Sequence, residues 1–300
     1  MNPVSQSLPP SVNFHLWKPC NFHCTFCFAV FDDDPLLKQV RGGLDVGQCR
    51  AVLDALKMAG AQKVNFVGGE PTICPHLPEV LRHTREIGCI TSIVTNGSRL
   101  ARVLSAAPQC VDWVGLSVDS ADEHTQAALG RGRGNHVQRS LDLFDLLHRS
   151  GIRTKLNTVV TALNWKEDMS AFVLRARPER WKMFQVLPIA GQNDGKVEPL
   201  LITAEMFQAF VARHDCLAEH GITVAAETNE DMTESYAMVD PLGRFFSNAG
   251  GRLRYSQPIL DVGVVDAFRQ ISFDALRFES RGGLYEWGNA SVPLTISSRS

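Results

Sequence analysis

The chain has 300 residues, 44% of them hydrophobic and 21% charged, with a formal net charge of -2 at pH 7. This is the balance of a globular protein with a sizeable core, and it lacks the basic excess that bulk binding to nucleic acid or an acidic membrane demands. No stretch approaches the apolar length of a membrane span, and the start, MNPVSQSLPPS, has neither the basic region nor the apolar core of a secretion signal.

Residues 1–11 read as a flexible arm, followed by a strand, VNFHLW (12–17), and the loop KPCNFHCTFCF with Cys20, Cys24 and Cys27. A helix is expected over 46–60, then the strand KVNFVG (63–68) running into GGEP, and a helix over 77–87. The strands ITSIVTN (90–96) and VDWVGLSVD (111–119), a helix over 135–150 and the strand RTKLNTVV (153–160) come next. A helix over 166–176 and the strand RWKMFQVLPI (180–189) complete the pattern. Repeated strand–helix units imply a parallel sheet with right-handed crossovers. Six of them predict an α/β fold, a partial (βα)6 barrel over 12–189, with chemistry at the strands' C-terminal ends. Residues 190–289 read as a C-terminal α/β extension that caps the barrel: a helix over 203–220, a strand over 222–227, a Gly- and Arg-rich segment over 244–263 and a helix over 264–277. The Ser-rich tail, 290–300, reads as loose.

A cytoplasmic location is expected, where thiols stay reduced. Cys49, Cys74, Cys89, Cys110 and Cys216 are scattered and read as small buried hydrophobes. Cys20, Cys24 and Cys27 instead form a constellation suited to zinc or an iron–sulfur cluster. A structural zinc site wants four ligands, often as two separated pairs. His23 supplies a fourth in principle, which leaves a zinc-binding module as an alternative, but no second pair follows downstream. A 4Fe–4S cluster on three cysteines leaves one iron open to an outside ligand, so the missing fourth ligand acquires a purpose.

Cys-x3-Cys-x-Phe-Cys after a first strand resembles the radical S-adenosylmethionine (SAM) superfamily, with Phe26 in its aromatic slot. The resemblance implies that SAM chelates the open iron and is cleaved by an electron from the cluster to a 5′-deoxyadenosyl radical. GGEP fits: Gly68 and Gly69 let a backbone approach a ligand, and Glu70 accepts from an ammonium group. By the same similarity Asn96, Ser117 and Arg131 fall where relatives hold SAM's polar groups. Cys216 is the only cysteine after Cys110, so relatives that need auxiliary clusters are excluded. GRGRG, Gly130 to Gly134, lacks the spacing and the preceding strand of a dinucleotide fingerprint.

Residues i and i+2 of a strand share a face, so Lys63 pairs with Asn65, Lys155 with Asn157, and Arg180 with Lys182. Any one of these cations has an ordinary reading at a solvated strand end. Together they point to a polyanion inside the barrel, such as a triphosphate. The stretches KVNFVGGEP, SIVTNGS, SVDS, LGRGRGNHV, RWKMFQVL, ILDVGV and RGGLYEW extend the resemblance to the viperin family from Val12 to about Trp287. It implies conversion of a ribonucleoside triphosphate (CTP, UTP or GTP) to its 3′-deoxy-3′,4′-didehydro analogue, an antiviral chain terminator, by removal of the ribose 4′-hydrogen and loss of the 3′-hydroxyl as water. It places Lys63, Lys155, Arg180 and Lys182 on the triphosphate, Asn13 and Asn157 facing the nucleotide, and Tyr236 beside the ribose as a proton or hydrogen-atom relay. A packed core tyrosine is the other reading of Tyr236. Arg252 and Arg254 read either as a lid over the phosphates or as a solvated basic loop. A flavodoxin- or ferredoxin-type electron donor is implied, with no direct nucleic-acid or membrane partner; the amphipathic anchor of the animal members is not seen. Another phosphorylated small molecule is the alternative substrate.

Overall fold

The computed structural model describes residues 7–288; the expected tail and the first half of the expected arm lie outside them. Ten strands form one sheet: β1 Ser11–Trp17, β2 Lys63–Gly68, β3 Ile90–Thr95, β4 Trp113–Ser117, β5 Arg153–Val160, β6 Arg180–Gln185, β7 Thr223–Glu227, β8 Ala237–Val239, β9 Arg244–Ser247 and β10 Arg254–Pro258. Their order is β10-β9-β8-β1-β2-β3-β4-β5-β6-β7. β1 to β6 lie side by side in chain order and run parallel, as right-handed crossovers require. The sheet is not closed. The residues after Ile189 lengthen it at both edges: β7 joins β6 in parallel, and β8 joins β1 in parallel ahead of antiparallel β9 and β10.

Alternation along the strands sorts the two faces. Val12, Phe14 and Leu16, Val64 and Phe66, Leu156 and Val160, and Trp181 and Met183 pack against the helices in the main core. The opposite, lumen-side positions carry Ser11, Asn13, His15, Lys63, Asn65, Lys155, Asn157, Arg180 and Lys182. The helix Val46–Met58 starts at a reciprocal capping box between Asp45 and Gln48 and buries Cys49, Val52, Leu53 and Leu56. Each large aliphatic of that set contributes about 1.5–3 kcal/mol.

Two expectations after Ile189 change. Residues 264–277 form two helices, Val264–Phe268 and Ala275–Ser280. Asp274 is extended and caps the second by accepting from Arg277 N, so a helix does not run through it. The helix expected over 203–220 is α-helical over Ala204–Arg213 and tightens to a 3-10 turn over Asp215–His220. At the join, His214 turns inward, accepting from Met169 N at 2.9 Å and bonding Phe210 O through its other nitrogen at 2.8 Å. The short helices Leu100–Ala106 and Glu123–Ala128, and three-residue β8, had no periodicity to announce them. Among the described residues no helix is long and apolar enough to cross a membrane.

Candidate active site

The cysteine loop leaves β1 and is clamped from several sides. Gly69 N donates to Trp17 O at 2.7 Å and Glu70 N to Pro19 O at 2.9 Å, fastening the loop to the end of β2. His23 N and Thr25 N donate to Gly130 O and Leu129 O, fastening it to the segment beyond β4. Asn96 Nδ2 reaches Asn21 Oδ1 at 3.0 Å from the end of β3. The glycines make this possible: a side chain at Gly68 or Gly69 would collide with the backbone of Trp17–Pro19, and one at Gly130 with His23 O. GGEP therefore gives its backbone access first to the loop itself.

Cys20, Cys24 and Cys27 are free thiols. Burial pushes Cys24 up to about 12 and raises the other two, with the Arg131 guanidinium opposing the rise in all three. Arg131 bonds buried Asp119 at 2.5 Å and lies 5.3 Å from the centroid of the Phe26 ring. Three free thiols on one clamped loop suit a 4Fe–4S cluster.

Glu70 is buried and accepts from Thr72 N at 2.9 Å, Thr72 Oγ1, Thr95 Oγ1 at 2.5 Å and Asn96 N at 2.8 Å. Burial raises its pKa against these bonds. Its Oε2 takes only Asn96 N, so one acceptor site stays open for an ammonium. Asn96 also accepts from Ser98 N at 2.9 Å. Ser117 ends β4, and its carbonyl bonds His136 Nε2 at 2.8 Å.

The lumen-side cations gather as their alternation predicts. Lys63 is 0% exposed, Lys155 6%, Arg180 8% and Arg281 9%. Lys182 Nζ lies 2.5 Å from Glu227 Oε1, and Arg281 NH1 3.6 Å from the same oxygen. One buried carboxylate thus serves a group of five cations, with the deepest three around Tyr285: its ring centroid is 4.4 Å from Lys63 Nζ, 5.1 Å from Lys155 Nζ and 4.7 Å from the Arg180 guanidinium carbon. Burial, and then mutual repulsion, hold Lys63 well below the ordinary lysine range and Lys155 at about 7. Burial holds Lys182 at about 8, with Glu227 opposing. Asn157 Oδ1, Arg180 Nε and Ser92 Oγ are buried without a hydrogen-bond partner, and Asn65 Nδ2 donates to Asn13 Oδ1 at 3.0 Å. A surplus of buried positive charge with idle polar atoms is costly without an anion.

Tyr236 is tied into the same group. Its hydroxyl donates to Glu227 and accepts from Lys182 Nζ at 2.8 Å, while the Arg281 guanidinium stacks 3.5 Å from its ring centroid. Burial raises the phenol well above its ordinary range. Arg252 and Arg254 are exposed, at and just before edge strand β10, outside this buried group. The sequence alone assigns no role to Glu227, Arg281, Tyr285 or Ser92. The available signal was RGGLYEW: an arginine and two glycines beside two aromatics, in a segment where no regular element was expected.

The family model described as the radical SAM superfamily matches residues 17–172. The chain is 44% identical over 282 residues to the S-adenosylmethionine-dependent nucleotide dehydratase of Flammeovirga pacifica, covering 93% of this chain and 96% of that one. It is 41% identical over 283 residues to the protein of the same name from Lacinutrix mariniflava, covering 93% of this chain but spanning only 59% of that relative's length. Among solved structures, Streptococcus suis SuiB bound to S-adenosylmethionine aligns with a TM-score of 0.69 at 17% identity, over 92% of this chain and 68% of that one, a likeness of fold.

Proposed function

The chain belongs to the radical SAM superfamily and, within it, to the S-adenosylmethionine-dependent nucleotide dehydratases, and on that premise we propose that it removes water from the ribose of a ribonucleoside triphosphate. It is a radical SAM enzyme whose cofactors are a 4Fe–4S cluster and SAM. Cys20, Cys24 and Cys27 hold the cluster, which when bound supplies the electron that cleaves SAM and so starts radical chemistry at the ribose 4′-hydrogen.

The carrying observation is the buried cation group of β2, β5 and β6, lying on the sheet face whose C-terminal end carries the cysteine loop. Lys63, Lys155, Arg180 and Lys182 neutralise the phosphates, and Asn13 and Asn157 face the nucleoside. Glu70, Asn96, Ser117 and Arg131 surround SAM. Tyr236 has its one proton committed to Glu227 while Lys182 donates to its oxygen. A proton given by Tyr236 at the departing 3′-hydroxyl is therefore replaceable from Lys182. The product lacks a 3′-hydroxyl and ends any RNA chain that takes it up, which is the basis of an antiviral role. Reducing equivalents come from a flavodoxin- or ferredoxin-type protein.

Anaerobic turnover of the reconstituted protein with SAM and reductant, offering CTP, UTP, GTP and ATP separately, tests this. A nucleotide lighter by one water, formed with 5′-deoxyadenosine, is expected and names the base. SAM cleavage with all four nucleotides returned unchanged would leave the cations to another phosphorylated molecule.

A further inference from the structure

We propose that Tyr285 is a specificity-determining residue, a floor that fixes how long a phosphate chain the lumen admits; the proposal rests on the triphosphate reading above. The segment Arg281–Trp287 passes under the N-terminal ends of the strands as a strap. Arg180 NH2 donates to Gly282 O at 3.2 Å, Arg153 NH1 to Glu286 O at 3.2 Å and Trp113 Nε1 to Trp287 O at 3.0 Å. A side chain at Gly282 would press on the Arg180 guanidinium, so the strap lies directly against that cation.

The strap delivers Tyr285 into the centre of the cation group, its ring edge-on to Trp113 with centroids 5.7 Å apart. Fully buried Lys63 donates to its hydroxyl, so the oxygen of Tyr285 stands where Lys63 would otherwise meet the last oxygen of an anion. Lys155 and Arg180 flank the same ring. From Lys63 to Gly68, β2 rises about 16 Å at ~3.3 Å per residue. That is the depth between the floor and the end of the strand to which the cysteine loop is fastened. With the nucleoside held at the cysteine-loop end, the phosphate chain runs down towards Tyr285. A chain of the right length ends on the ring among three cations, a shorter one stops above them, and a longer one meets the strap.

Equilibrium dialysis under anaerobic conditions, with the cluster-loaded protein and SAM, reads this directly. The probes are the 5′-di-, tri- and tetraphosphates of whichever base turns over best. The unsubstituted protein is expected to prefer the triphosphate over both others by about tenfold or more. Tyr285→Ala should admit the tetraphosphate, reducing triphosphate-over-tetraphosphate discrimination at least tenfold. Tyr285→Phe keeps the ring; it should keep the rejection of the tetraphosphate, while the triphosphate binds as well as before or severalfold tighter, because Lys63 is released from the hydroxyl to the last phosphate. If either variant weakens all three nucleotides by one common factor, Tyr285 only supports the fold and the proposal is overturned. If the unsubstituted protein binds no triphosphate, the substrate reading fails instead.

Discussion

Lys182 and Glu227 form a buried ion pair, with Nζ 2.5 Å from Oε1, inside a group that carries four further cations, Lys63, Lys155, Arg180 and Arg281, but no second buried carboxylate bonded to it among the described residues. The pair neutralises one charge of the surplus, and removing its acid leaves Lys182 and Arg281 unopposed. Breaking a buried pair from one side costs about 3–5 kcal/mol. Glu227→Gln should lower the unfolding free energy by that order. Saturating nucleoside triphosphate should restore about 2.7 kcal/mol at a hundredfold excess over its Kd. Denaturant melts with and without nucleotide check both halves.

Lys155 at about 7 and Lys182 at about 8 sit below the ordinary 10.5. Between those values and 10.5 the unfolded chain holds protons that the folded, ligand-free chain has released. Stability of the ligand-free protein from these groups therefore rises with pH across that window. Triphosphate binding runs the other way, because an anion wants the charged lysines. Affinity should fall as pH climbs from about 7 to 9, with proton uptake on binding. Calorimetry in two buffers of different ionisation enthalpy would reveal that uptake; its absence at pH 8 would show that the lysines are already charged.

Substituting any one of Cys20, Cys24 or Cys27 by Ala should abolish iron retention and SAM cleavage together, because each thiol has its own iron to hold. Iron content and the visible absorption band check this after reconstitution. Cys49→Ala, in the helical core, should leave the iron in place and cost only stability.

Gly130 has φ +82, and any side chain there meets His23 O. Gly130→Ala should cost about 1–3 kcal/mol in backbone strain and displace the cysteine loop. The expected signature is a cluster lost faster to chelator than from the parent protein, followed by the decay of its absorbance. Gly134, equally left-handed at φ +91 but with open space around it, is the control: Gly134→Ala should leave chelator resistance as it was.

Much of this was legible beforehand, for identifiable reasons. KVNFVG and RTKLNTVV match β2 and β5 to the residue because polar and apolar side chains alternate along them between the two faces of the sheet. The i, i+2 spacing pairs Lys63 with Asn65, Lys155 with Asn157 and Arg180 with Lys182 on shared faces, and the structure buries Lys63, Lys155 and Arg180 there. Glu227 and Arg281 were not legible, since a carboxylate ending one strand and an arginine ending a short helix meet only through tertiary packing. Tyr285 escaped for the same reason: its strap has no period of its own and is placed by carbonyls accepting from Arg180, Arg153 and Trp113. The purpose of Gly68 and Gly69 was half read, because what comes close to them is this chain's own backbone.

Asn96 and Glu70 each touch two neighbours at once: one side of each belongs to the strand ends assigned to SAM, the other to the loop that carries the thiols. Whatever orders that loop also sets these two residues, and whatever engages them also steadies the loop. Loading with iron and affinity for SAM are then two readings of one coupling free energy, and each must tighten the other by the same factor. A cell short of iron would hold a protein that binds its co-substrate more weakly as well, and an abundance of SAM would tighten its hold on the metal.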